Sequence, residues 1–364
     1  MTLPWPSSTK SSVASDVQTT AKAIPMHLEA FTLAKNPNDA ARNEDRYVVV
    51  PGRAYAVIDG VSDKTGLRYK GLTGGQAAGQ AVEEIIREVC RIERPETIEA
   101  DWLSARLQDR FRTLLDEMRT SGTSKAPPAA WFGAQLALAL EGRTTFRFII
   151  IGDSGLRLNG REVYRFRQPL DDICAAVRKA VWNHLGARGV PAALKNEIAR
   201  AYTVEGLAAV LPRWTDWIDE GILPELRQKA VADAARIQRE LDHAIIERAV
   251  LGGLREQNLY VNRIHPLGSP CINGFPIPHE FIMQFDRNID DVETIELFTD
   301  GYFGYPNGTR IADWEEHLAR IEAVDPEKTG DYASTKGSAN GLFTDDRTVL
   351  ILRRALCPVE RSAE

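Results

Sequence analysis

Apolar residues along this chain follow two rhythms, and the changes between them divide it. Short β-branched or alternating runs at His27–Ala34, Tyr47–Val50 and Tyr55–Ile58 predict strands. Ala78, Ala81, Val82, Ile85 and Val89 then recur at helical spacing. Leu103, Leu107, Phe111, Leu114 and Met118 share one face of a second helix, which the loop Thr120–Pro128 ends. Further strands are predicted at Ala134–Leu140, Thr145–Ile151 and Leu156–Phe166, separated only by Glu141–Arg143 and Asp153–Gly155. Runs so closely spaced point to an antiparallel meander rather than to helical crossovers. From about 170 to 262 the pattern is helical almost throughout, most clearly at Leu226, Ala230, Ala234, Ile237, Leu241 and Ile245. Strands return at Phe281–Phe285 and Glu293–Phe298, a helix follows at Ile311–Ala323, and Thr348–Leu352 reads as a last buried strand. Between them Gly330, Ser334, Gly337, Ser338 and Gly341 predict a flexible loop. The architecture expected is one α+β domain over residues 27–169 and 263–357, interrupted by a helical lobe at 170–262.

Composition narrows the functional classes. The chain of 364 residues is 43% hydrophobic and 26% charged, as soluble globular proteins are. No apolar run approaches the roughly 20 residues that span a bilayer. Residues 1–26 lack the apolar stretch of a signal peptide and are expected to form a disordered polar leader. A formal charge of −6 without a basic run argues against a nucleic-acid partner. Cys90, Cys174, Cys271 and Cys357 stand far apart, which suits reduced thiols in the cytoplasm.

The chemistry lies in acidic residues placed where apolar strands meet turns. They are Asn43-Glu44-Asp45, Asp59-Gly60 after AYAVI, Asp153 after FIIIG, Asp300-Gly301 after IELFT, and Asp345-Asp346 before TVLIL. A strand end fixes a carboxylate in space, and a following glycine lets backbone carbonyls approach a ligand. Carboxylates converging from several strands repel one another unless a hard cation lies between them, and an all-oxygen set favours Mg²⁺ or Mn²⁺ over zinc. Any one of these acids alone would be an ordinary turn former. The sequence Gly152-Asp153-Ser154-Gly155 also suggests a serine-protease nucleophile, but the only upstream histidine, His27, lacks the context of a triad. The glycines at 71, 74, 75 and 79 include no Gly-Lys-Ser/Thr, so they serve close helix packing rather than a P-loop.

Taken in order, RNEDR (42–46), AVIDGVSD (56–63), GGQAAGQAVEEI (74–85), GAQLALAL (133–140), FIIIGDSGLRL (148–158), LFTDGYFG (297–304) and DDRTVLIL (345–352) resemble the metal-dependent type 2C Ser/Thr protein phosphatases. The resemblance covers roughly 27–169 and 280–354 and omits the lobe. It implies a β-sandwich of two antiparallel sheets flanked by helices, with two divalent ions at one end. Asp59 would bridge the ions, the Gly60 carbonyl would bind one, and Asp300 and Asp345 would complete the other site. Glu44 and Asp45 would act through coordinated waters, and Asp153 would hold a third, weaker ion. Water ionised between the cations would then attack phosphorus in line, with no phosphoenzyme.

The chain departs from that family in the groups that handle substrate. An arginine usual four residues before Glu44 is Ala40. The histidine that eukaryotic members place two residues beyond the bridging aspartate is Val61, which leaves Asp63 as the candidate acid. The usual Asp-Asn of the last motif is Asp345-Asp346. A phosphoryl dianion needs a cationic partner, and Arg46, with Arg42 as alternative, is expected to provide it. The function expected is hydrolysis of phosphoserine and phosphothreonine on proteins. The alternatives are a non-catalytic binding module of the same fold and a phosphatase of small phosphorylated metabolites. Trp182, Trp214 and Trp217 are expected in the core of the lobe, with partner docking there as the other reading.

Overall fold

The computed structural model describes residues 26–62, 68–120, 132–338 and 341–354. Among the described residues ten strands form two five-stranded sheets. The first has the order β1 (Met26–Leu33), β10 (Arg347–Arg354), β9 (Thr294–Phe298), β6 (Gly155–Leu158) and β7 (Glu162–Tyr164). The second runs β2 (Arg46–Val50), β3 (Ala54–Gly60), β4 (Ala134–Glu141), β5 (Thr145–Ile151) and β8 (Met283–Asn288). Every ladder is antiparallel.

The strands alternate, and each face has its own partner. Val57, Ala137, Phe148 and Ile150 meet Leu156, Ile295, Leu297 and Leu350 between the sheets. The opposite face of the second sheet, with Ala56, Ile58, Leu136 and Ile149, packs on α1 (Gly74–Ile92) and α2 (Ala100–Thr120). The opposite face of the first, with Phe298, Val349 and Ile351, packs on Trp314 and Leu318 of α7 (Ile311–Val324). The result is a helix–sheet–sheet–helix sandwich, which explains why β3 and β4 read as unbroken apolar runs.

The run Leu156–Phe166 is not one strand. It turns at Asn159 and Gly160, both at positive φ (53° and 69°), as an Asn-Gly hairpin does. Phe281 lies in a short 3₁₀ turn ahead of β8. Between β7 and β8 come α3 (Pro169–Ala187), α4 (Ala192–Glu205), α5 (Leu223–Ile237) and α6 (His243–Gly252), which build a separate apolar cluster from Leu170 to Leu267. Trp182 and Trp214 are buried within it at 8% exposure each, and Trp217 packs against it, so none forms an exposed patch. Cys90, Cys174 and Cys271 are buried free thiols. Residues 1–25, Asp63 and Cys357 lie outside the described residues. Among the described residues no helix is long and apolar enough to cross a membrane.

The segment predicted as a flexible loop is irregular in backbone but tightly tied. The Asp325 carboxylate accepts the backbone N–H groups of Thr329 (3.0 Å), Gly330 (3.0 Å) and Tyr332 (3.2 Å). Lys328 is fully buried, its ammonium donating to Glu322 at 2.6 Å and to the Asp325 carbonyl at 2.7 Å. Glycine and serine content signals irregular backbone, and it does not report how many hydrogen bonds hold that backbone.

Candidate metal centre

Antiparallel pairing brings the ends of alternate strands to one end of the sandwich. There the C-termini of β3, β5 and β9 meet the N-termini of β2 and β10. Asp59 has the parity of Tyr55 and Val57, so it faces the layer between the sheets. Carboxylate oxygens of Asp59, Asp153 and Asp300 lie within 4.8 Å of one another. Asp45 is buried beside them and accepts the Thr299 hydroxyl at 2.7 Å.

Burial and mutual repulsion mark this cluster electrostatically. Burial, followed by the charges of Asp300, Asp45, Asp153 and Asp345, pushes Asp59 well above the usual carboxylate range. Burial also raises Asp45, with Thr299 opposing and Asp346 and Asp300 adding to the rise. Asp153 is pushed up to about 8 by burial and by Asp300, against the pull of the nearby Arg165 guanidinium. One oxygen of Asp153 accepts from Gln168 Nε2 at 2.6 Å, and the other is buried with no hydrogen-bond partner among the described residues. An orphaned buried carboxylate oxygen is costly unless a proton or a cation satisfies it. The donor set is all oxygen, so these residues fit Mg²⁺ or Mn²⁺.

Glycine makes the framework close. A Cβ on Gly60 would lie 2.4 Å from the Gly75 carbonyl oxygen, and one on Gly75 would lie 2.8 Å from that of Gly60. The end of β3 and the start of α1 therefore touch through bare backbone, with the Gly60 carbonyl turned toward Gly75.

Other expected ligands are engaged differently. Glu44, expected to act through water, accepts Ser62 Oγ on one oxygen at 2.5 Å and Thr73 Oγ1 on the other at 2.6 Å. Asp345 stands at the start of β10 but outside the close triad. It accepts from Lys336 and lies 3.7 Å from Lys35 Nζ. Although burial opposes it, Lys336 and Lys35 hold the Asp345 carboxyl below its ordinary value. Asp346 accepts the backbone N–H groups of Lys35 (2.7 Å) and Glu44 (2.9 Å), one on each oxygen. An asparagine has a single acceptor oxygen and would lose one of these, which gives the Asp345-Asp346 departure a structural reason.

The expected phosphate arms are paired with acids other than those of the cluster. Arg42 pairs with Asp39 at 2.8 Å, and Arg46 reaches Glu83 of α1 at 3.3 Å. The bases that do stand among the acids are Lys35, Arg165 and Lys336, and the sequence reading missed all three. Lys35 follows the strand LEAFTLA, so the strand-end reasoning applied to acids would have found it had it been applied to bases.

No family model matches the chain, and no curated protein does. Solved structures resemble it at low identity. Serine/threonine phosphatase Stp1 from Staphylococcus aureus is 13% identical over 92% of this chain and 96% of that one, with a TM-score of 0.43. The serine/threonine phosphatase PstP/Ppp from Mycobacterium tuberculosis is 12% identical over 90% and 98%, with a TM-score of 0.42. The PstP catalytic domain in complex with two manganese ions is 13% identical over 90% and 97%, at 0.42. These structural neighbours are bacterial serine/threonine phosphatases.

Proposed function

We propose that this chain is a metal-dependent phosphatase that hydrolyses phosphoserine and phosphothreonine on proteins. The observation that carries the reading is the convergence of the carboxylates of Asp59, Asp153 and Asp300 at one end of the sandwich. The choice of serine and threonine phosphates rests on the order of motifs in the sequence. Divalent cations bound here would supply a nucleophile from water at neutral pH and positive charge for the phosphoryl oxygens. Asp59, Asp153 and Asp300 would hold them. Thr299 orients Asp45, and Gln168 fixes the rotation of Asp153.

A titration of the full chain with Mn²⁺ and Mg²⁺ by calorimetry, paired with hydrolysis of para-nitrophenyl phosphate, tests this. Asp59→Asn and Asp300→Asn should each lower kcat by at least about 100-fold and weaken Mn²⁺ binding, since each removes a charge the cation requires. A wild-type chain that binds neither ion at millimolar concentration would sink the reading. Phosphopeptides compared with small phosphorylated metabolites then decide the substrate class.

A second reading, a metal-binding module without turnover, draws on the two lysines that already neutralise Asp345. Metal binding with no hydrolysis of any phosphomonoester would select it.

A further inference from the structure

A phosphoryl dianion entering this end of the sandwich needs positive charge besides that of the cations. Ala40 offers none, and Arg42 and Arg46 are engaged elsewhere. Lys35 is occupied, donating to Ser62 Oγ at 3.1 Å and lying within 3.6–3.9 Å of Glu44, Asp345 and Asp346. Arg165 lies on the Asp153 side of the cluster, where its charge faces Asp153 and Asp300.

Lys336 differs from all of these. Its side chain is 46% exposed, and among the described residues the only acceptor its ammonium meets is Asp345. An ammonium has three N–H donors, so two remain for a ligand. A lysine ammonium carries its charge at neutral pH.

The backbone beneath Lys336 is built to place it. Besides the Asp325 and Lys328 contacts, the Ser334 N–H donates to the Lys328 carbonyl at 3.0 Å and the Ser338 N–H to the Pro326 carbonyl at 2.8 Å. Arg178, on α3 of the lobe, donates to the carbonyls of Glu327 and Lys328, so the lobe clamps this segment. Gly337 sits where a Cβ would come within 2.4 Å of the Glu327 carbonyl oxygen and 2.8 Å of Arg178 Nη2. A long, flexible side chain on so rigid a platform is positioned at low entropic cost.

We propose that Lys336 is a substrate-binding residue of this centre: anchored on Asp345, its ammonium grips the phosphoryl oxygens of substrate and of product phosphate. The proposal rests on the phosphatase reading and names the group that recognises the phosphoryl end of the substrate.

The test uses the full chain and its Lys336→Met and Lys336→Arg variants. Binding of inorganic phosphate to the Mn²⁺-loaded protein is measured by calorimetry, alongside Mn²⁺ affinity and the KM for para-nitrophenyl phosphate. Lys336→Met should weaken phosphate binding and raise KM by about tenfold or more, the loss of one charge-assisted hydrogen bond. Its Mn²⁺ affinity should be unchanged or tighter, because a competing ammonium has left Asp345. Lys336→Arg should recover part of the phosphate affinity. Unaltered phosphate binding in Lys336→Met overturns the proposal, and so does a loss of Mn²⁺ binding, which would place Lys336 with the metal instead. Phosphate binding is read without turnover. A chain that binds Mn²⁺ and phosphate through Lys336 yet hydrolyses nothing would defeat the phosphatase reading alone.

Discussion

Asp153 shows at the scale of one residue what the centre demands. Its backbone N–H donates to Gln135 Oε1 at 2.7 Å, Gln168 holds one carboxylate oxygen, and the other oxygen has no partner among the described residues. Without a cation, the inexpensive way to bury such a group is to protonate it, and its pKa of about 8 expresses that. A carboxyl whose pKa is higher folded than unfolded holds its proton in the native state, so its stabilising contribution is full below the unfolded value near 4 and fades as pH rises toward 8. Asp45, Asp59 and Asp300 are raised in the same direction. The chelator-treated protein should therefore lose thermal stability between pH 5.5 and 8, and Asp153→Asn, which cannot ionise, should flatten that slope. A melting temperature with the same slope in wild type and Asp153→Asn would show that the proton is not held at Asp153.

At the scale of elements, the centre depends on how closely α1 approaches the end of β3. A methyl group on Gly75 would sit 2.8 Å from the Gly60 carbonyl oxygen and 2.9 Å from Glu44 Oε1, both fixed groups. Gly75→Ala should therefore push the helix off the strand and cost about 1–3 kcal/mol in urea unfolding, as overpacking does. It should also weaken Mn²⁺ binding, because Asp59 precedes Gly60 directly; wild-type stability in this variant would mean that the contact has slack. This packing was legible in the sequence as glycines at helix spacing. So were Asp59, Asp153 and Asp300, because a strand ladder fixes the residue at its end and apolar alternation reveals the strand. What was not legible came through side chains from irregular backbone. Lys336 reaches Asp345 only because Asp325, Lys328 and Arg178 fold its segment back over the centre, and no local periodicity encodes those contacts. Asn159-Gly160 does mark a hairpin in the sequence, but apolar residues on both sides of the turn conceal it.

At the scale of the molecule, the lobe has a core of its own yet joins the sandwich at a sensitive point, the Arg178 clamp. If the lobe is a separate cooperative unit, Leu226→Ala, a truncation at a fully buried position, should destabilise it by about 2–5 kcal/mol. Hydrogen exchange should then accelerate across residues 170–262 and leave β3, β4 and β5 protected. Equal acceleration in those strands would make lobe and sandwich one unit. The first sheet carries a mechanical consequence as well. β1 and β10 lie antiparallel from Met26↔Arg354 to Leu33↔Arg347, so residues 26 and 354 sit side by side at one end of the ladder. A load that draws these two residues apart opens the ladder rung by rung, like a zip, instead of shearing all its bonds together. Fraying begins at the end remote from Lys35 and Asp346, and the last rung to part is the one that adjoins them.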